Sequence, residues 1–198
     1  KDGSIQFRAG HEGYIHDVEV GVYSSSDGEL PPEITFHLYK KPDSTGFFAV
    51  STDNYSRIQG QKIQTLETTL QSIKGIKDLG DTSLSPEQAS EFLFYSTLRK
   101  EQIKQFKLQL HALNFTESLQ IKSLMGVTEA AVNLYTVSTP NPIEFDLISL
   151  DQESMYLLKP KSTLDKGYYA FHDSDILTNE SIKSLTNHPS ELSVVYSF

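Results

Sequence analysis

The sequence predicts an α+β domain that is mainly antiparallel β and sandwich-like, with a central two-helix segment. Three observations carry that expectation. Period-two alternation runs through the first sixty residues, helix-like spacing takes over from about 61 to 113, and short apolar runs punctuated by turn residues then continue to the end. Helices confined to one block, rather than set between successive strands, argue against a parallel βαβ design. The expected division is N-terminal strands over 1–60, a helical segment over 61–113 and a sandwich-like β part over 114–198, folded as one unit.

Each element has its own signal. In Tyr14–Tyr23 the residues Tyr14, His16, Val18, Val20 and Val22 share one face, while Asp17 and Glu19 take the other. Ser24–Pro32 is polar and turn-rich, hence a loop. Glu33–Lys41 alternates again, with Ile34, Phe36 and Leu38 expected inward and Thr35, His37 and Tyr39 outward. Pro42–Gly46 supplies a fixed φ, an Asx-type turn and a glycine, so Phe47–Thr52 reads as the returning strand of a hairpin.

From Gln61 the apolar residues Ile63, Leu66, Leu70 and Ile73 recur at steps of three and four, which predicts a helix to Lys74. Ser85-Pro86-Glu87-Gln88 has the form of a capped helix start. Phe92, Tyr95, Leu98, Ile103, Phe106, Leu110 and Leu113 extend it into a long helix over 86–113, bent near Lys100. Strands then follow at 115–122, Ala131–Val137, Ile143–Leu150, Met155–Lys159, Gly167–His172 and Leu192–Phe198. Ser138-Thr139-Pro140-Asn141-Pro142 separates two of them, because neither a helix nor an inner strand accepts it.

Composition excludes several function classes. Seventeen basic residues against 26 acidic ones leave a net charge of −9, with no basic stripe to recruit a phosphate backbone or an anionic membrane. Nucleic acid is therefore not an expected partner. The chain has no cysteine, so disulfides and thiolate chemistry are out. No apolar run approaches the ~18 residues of a membrane-spanning helix. The first residue is Lys1, not methionine, and the expectation is that a targeting segment or lipid-anchor cysteine has been removed upstream. That reading places the protein in a bacterial periplasm or outer envelope, or outside the cell; the alternative is a trimmed fragment of a cytosolic protein.

One local pattern adds a family. Asp165, Gly167, Tyr169 and Phe171 fall at alternate positions of Leu164–Phe171, where the tyrosine corner of an immunoglobulin-like strand has an aspartate, a small residue, a tyrosine and a buried cysteine. The segment resembles that family's corner over about eight residues. The resemblance implies a sandwich-like C-terminal part in which the Tyr169 ring packs inward and its hydroxyl reaches back to a backbone group. Phe171 stands where the cysteine would be and the chain has no tryptophan, so packing alone has to serve there. A sandwich of this kind hosts many activities and carries no function by itself.

Polar clusters are few. His172-Asp173-Ser174-Asp175 could bind a hard cation or place a base near a hydroxyl, but it lacks the oxygen ligands and glycine of a calcium loop, and the plainer reading is a solvated loop. His11, Glu12, His16 and Asp17 form a second group whose histidines, five apart on a strand, point to opposite faces. His37, His111 and His188 are isolated, and His111 is expected at the rim of the long helix. Phe94 lies beside Phe92 and Tyr95, which cannot all face one way on a helix; it is either buried by a second layer, the preferred reading, or exposed to a partner. No nucleophile elbow, phosphate loop, zinc signature or dinucleotide fingerprint is present, and no cofactor is expected.

Three sequons, at Asn54, Asn114 and Asn179, stand against the one or two that a chain rich in serine and threonine produces by chance, and are only weak evidence of a eukaryotic secreted origin. The C-terminal Tyr196-Ser197-Phe198 echoes the end of outer-membrane barrels, but a central helical segment and few ten-residue strands do not suit one. The sequence thus favours a noncatalytic binding or assembly module with a protein or glycan partner. The alternatives are a hydrolase whose acids converge from distant strands, and a structural subunit of a larger assembly.

Overall fold

The structure, a computed structural model, describes residues 14–16, 38–51, 54–67, 72–79, 91–150, 154–177 and 192–198. Strands β1 (Tyr14–His16) and β2 (Leu38–Lys40) pair as a small ribbon. Then come β3 (Gly46–Val50), β4 (Tyr55–Ile58), β5 (Gly60–Gln61), β6 (Ile63–Glu67), β7 (Ser72–Ile76) and β8 (Glu91–Tyr95). A short helix α1 (Lys100–Gln105) precedes the two longest strands, β9 (Leu108–Ser123) and β10 (Gly126–Val137). The remainder is β11 (Phe145–Ser149), β12 (Met155–Pro160), β13 (Tyr168–Asp173), α2 (Ser174–Leu177) and β14 (Val195–Ser197).

Among the described residues all strand pairs are antiparallel. One sheet has five strands in the order β11-β12-β8-β3-β4, and the other has seven in the order β5-β14-β13-β9-β10-β7-β6. The chain passes repeatedly between them, so segments from both halves of the sequence build each sheet. The sheets pack face to face through an aromatic core. Phe47, Phe92, Phe94, Tyr156 and Leu158 contribute from the five-stranded side, and Leu110, Tyr169, Phe171, Tyr196 and Phe198 from the other. Ring centroids meet across the gap at 5.3 Å for Phe47–Phe171 and 4.6 Å for Phe92–Phe198.

The mainly antiparallel, sandwich-like expectation holds, but the two-helix segment does not. The stretch from Gln61 to Lys74 contains β6 and the start of β7, which form an antiparallel hairpin with Ile63 opposite Ile76 and Leu66 opposite Ile73. The long helix expected over 86–113 is instead β8, the six-residue α1 and the first part of β9; Ser85–Gln88 lies outside the described residues. The physical cause is burial on both faces. Phe92 and Phe94 enter the inter-sheet core, while Leu93 between them packs with Phe48, Leu157 and Tyr39 on the far side of the five-stranded sheet. A strand covered on both faces loses its alternation. Helix α1 carries the chain from one sheet to the other. Ile103 is its buried anchor, and Gln102 Oε1 accepts a 2.9 Å hydrogen bond from the Arg99 N–H at its start.

Two smaller expectations change as well. The hairpin across Pro42–Gly46 does not form: β2 pairs with β1, whereas β3 pairs with β4 and β8. Tyr39 is buried and Leu38 exposed, the reverse of the expected facing, because the Tyr39 ring covers the five-stranded sheet and its hydroxyl donates to Glu91 Oε2 at 2.9 Å.

At Leu164–Phe171 the Tyr169 hydroxyl donates to the Asp165 carbonyl at 2.8 Å, the backbone contact that the corner pattern implies. Phe171 sits at the centre of the aromatic core, within 5.8 Å, centroid to centroid, of Phe47, Phe92, Phe145 and Phe198. Those rings fill the space between the sheets.

Candidate functional site

Two features stand apart from the packing: a buried histidine pair and the arm that rises beside it. On β9 and β13 the residues Leu110, Ala112, Tyr169 and Phe171 point into the inter-sheet core. The intervening residues Gln109, His111, Leu113, Ala170 and His172 therefore line the outer face of the seven-stranded sheet. His111 is opposite Ala170 and His172 is opposite Gln109 in register, which makes the two histidines diagonal neighbours. Each is 1% exposed. Their rings stack with centroids 4.9 Å apart and 21° between planes, and His111 Nδ1 lies 2.9 Å from His172 Nε2.

The surrounding acceptors assign the protons. His172 Nδ1 is 2.7 Å from the carbonyl of Asp173, so this nitrogen carries hydrogen and donates. His172 Nε2 then offers its lone pair, and His111 Nδ1–H donates to it. His111 Nε2 faces the carbonyl of Pro140 at 3.5 Å. Burial pushes the His172 imidazole down to about 4, with the neighbouring His111 adding to the effect and the Asp173 carbonyl opposing it. Burial lowers His111 too, against the pull of the Pro140 carbonyl. At neutral pH both rings are uncharged.

The arm begins where this neighbourhood ends. β9 pairs with β13 only as far as Leu113, and β10 meets β7 at Tyr135. From Thr116 on one strand and Leu134 on the other, β9 and β10 pair only with each other among the described residues. The two-stranded arm is about 25 Å long at about 3.4 Å per residue. A register shift between Ala131 and Leu134, with Asn133 at φ 45°, marks its root. Such a bulge bends and re-aims a strand pair.

At its apex Leu124 and Met125 occupy the turn, and Gly126 supplies the positive φ of 126°. Leu124 is 81% exposed, Met125 fully so and Val127 58%. Below them, Leu119, Ile121 and Ala130 lie half-buried on one side of the arm. That side continues to Phe115, which contacts Tyr135, itself in contact with Tyr168.

No family model, curated protein or solved structure matches the chain. The site is therefore read from its own geometry.

The structure brings His172 together with His111, which is expected at a helix rim but lies on β9. His172 and Asp173 end a buried strand rather than a solvated loop, and Asp175 lies within α2. Phe94 is fully buried against Phe47, with centroids 4.2 Å apart, which leaves nothing for a partner to contact. His16 is on β1, while His11, Glu12, Asp17, His37 and His188 lie outside the described residues. Among the described residues no group of three or more His, Asp or Glu side chains is placed to hold a metal ion. A shallow cleft of about 380 Å³ opens between Lys107–Gln109, Pro142–Phe145 and Lys161. Within it Lys161 pairs with Glu144 at 3.1 Å, and that hydrogen bond raises the lysine pKa.

The histidine pair joins residues 61 apart in sequence, and no local motif announces it. The arm did leave a trace. Leu-Met-Gly-Val at 124–127 is an apolar run at a point where a turn has to fall, since alternating strands flank it on both sides.

Proposed function

We propose that this domain is a noncatalytic binding module that engages a protein partner through the β9–β10 arm. The observation that carries the reading is the exposure of Leu124 and Met125 at the apex of a strand pair that, among the described residues, pairs with no other strand beyond its root. A turn is ordinarily the most polar part of a hairpin, and contiguous exposed apolar side chains mark interaction sites. Full burial of Leu124 and Met125 would contribute about 1.5–3 kcal/mol each. Among the described residues no further strand lies along the edges of β9 and β10 in the arm, and strand addition there offers a second source of affinity. An aliphatic tip suits a protein groove better than a glycan, whose hydroxyls need hydrogen-bonding side chains beside a stacking ring. The half-exposed Phe115 and Tyr168, linked through Tyr135, support glycan binding as a second reading on the same face.

The wider setting belongs to the same proposal. The Tyr169–Asp165 corner and the two-sheet packing support kinship with immunoglobulin-like sandwiches. The absence of cysteine and the acidic composition accord with an exported protein of a cell envelope. Among the described residues no helix is long and apolar enough to cross a membrane.

A photo-crosslinking residue at Met125, expressed in the producing cells, tests the binding role. The expected result is a discrete crosslinked species that is missing when the same probe is placed at Lys161, on the far sheet. Equal or absent crosslinking at the two positions would rule the arm out.

A further inference from the structure

The polar chain through the histidine pair has three contacts and two ends that can only accept. Pro140 O and Asp173 O are carbonyls, and between them lie the four ring nitrogens of His111 and His172. Each contact needs one hydrogen. Two neutral imidazoles carry two N–H hydrogens, which fill the 2.7 Å and 2.9 Å contacts and leave the lone pair of His111 Nε2 facing the Pro140 carbonyl. The third contact is also the longest, at 3.5 Å. One added proton, on His111, supplies the missing hydrogen. A second would turn His172 Nε2 into a donor and set two N–H groups against each other at 2.9 Å.

We propose that His111 and His172 form a buried one-proton switch on the outer face of the seven-stranded sheet, between β9 and β13. The pair is hydrogen-bonded with no proton or with one, and it separates with two. The first proton fastens the Pro140 segment, which follows the end of β10, to β9. Two backbone bonds already bracket this point, Ser138 N–H to Ala112 O at 2.9 Å and Ile143 N–H to Leu110 O at 2.7 Å. The second proton drives the rings apart and uncovers the outer face of the sheet, where Leu113, Ala170, Leu177 and Val195 pack.

Other groups around the pair leave this count unchanged. On β9, Gln109 lies opposite His172 with a buried Oε1 that makes no hydrogen bond among the described residues. On β10 and β13, Tyr135 and Tyr168 share the face, and Asp173 is turned to the other side by strand alternation. Lys74 is buried on β7, Ser197 on β14 donates to Leu79 O, and α2 brings Ser174 and Leu177. Neither imidazole forms an ion pair among the described residues.

Nitrogen-15 NMR of the histidine-labelled wild-type protein tests the switch. At neutral pH both rings should show the Nδ1–H tautomer. On acidification His111 should become imidazolium first while His172 stays neutral, with the two midpoints separated by more than about one pH unit. Faster amide exchange along β13 should accompany only the second step. An Nε2–H tautomer for His172, first protonation at His172, or two independent titrations near the ordinary histidine value would each overturn the proposal. In a second arm, His111→Asn keeps a donor toward His172 but cannot take up the proton. It should abolish the first step, and its persistence would place that step elsewhere.

Discussion

Replacing His172 with phenylalanine should remove a specific part of the domain's acid sensitivity. The His172 imidazole has a folded pKa of about 4 against an ordinary value of 6.5, and the cause is burial. Its folded value is the lower one, so the unfolded chain binds more protons through this interval, and stability falls as pH drops from 6.5 toward 4. At about 1.4 kcal/mol per unit, the full loss is roughly 3 kcal/mol, of which about 2 kcal/mol accrues between about pH 7 and 5. For a chain of this size that corresponds to roughly 4–8 °C in Tm. His172→Phe keeps a flat ring among buried neighbours and cannot titrate. Any packing penalty it carries is independent of pH and appears as an offset. Urea unfolding of both proteins at half-unit steps from pH 7 to 5 gives the comparison directly. The wild type should lose about 2 kcal/mol more than the variant over that range. Parallel stability profiles would show that His172 is charged as readily in the fold as out of it, and would refute the burial argument.

Three further outcomes follow from the packing. Phe171→Ala removes the ring that touches four aromatic neighbours across the two sheets, and should cost about 3–5 kcal/mol in chemical denaturation. Tyr169→Phe deletes only the hydroxyl that donates to Asp165 O, so a loss of about 0.5–1.5 kcal/mol is expected in the same assay. Gly75→Ala would put a Cβ 2.7 Å from the Tyr135 carbonyl, a backbone atom with little freedom to yield. It should destabilise by about 1–3 kcal/mol and raise amide exchange first in β6 and β7, since these strands join the sheet through the Tyr135–Ile76 pairing.

What the sequence made legible follows from which faces are wet. Met155–Lys159 and Gly167–His172 lie nearly where β12 and β13 do, because turn residues bound each of them, whereas Ala131–Val137 covers only the second half of β10, which begins at Gly126. The Tyr169–Asp165 hydrogen bond is legible because donor and acceptor are four residues apart. Leu110 and Leu113 misled for a physical reason. Leu110 packs between the sheets and Leu113 on the outer face, so a strand covered on both sides gave a helical step of three. Ile63, Leu66 and Ile73 misled differently, since they belong to two strands of one hairpin rather than to one helix face. The His111–His172 contact depends on the β9–β13 register, which no local pattern encodes.

The binding role of the arm is tested most directly by the size of the native assembly in which the protein is recovered from its producing cells, compared with a Leu124→Ser, Met125→Ser double variant. Both residues are exposed, so the change should leave stability within about 0.5 kcal/mol. The wild type is predicted to sediment in a larger complex and the variant as the free chain, with matching Tm values. Retention of the same complex by the variant would contradict the account.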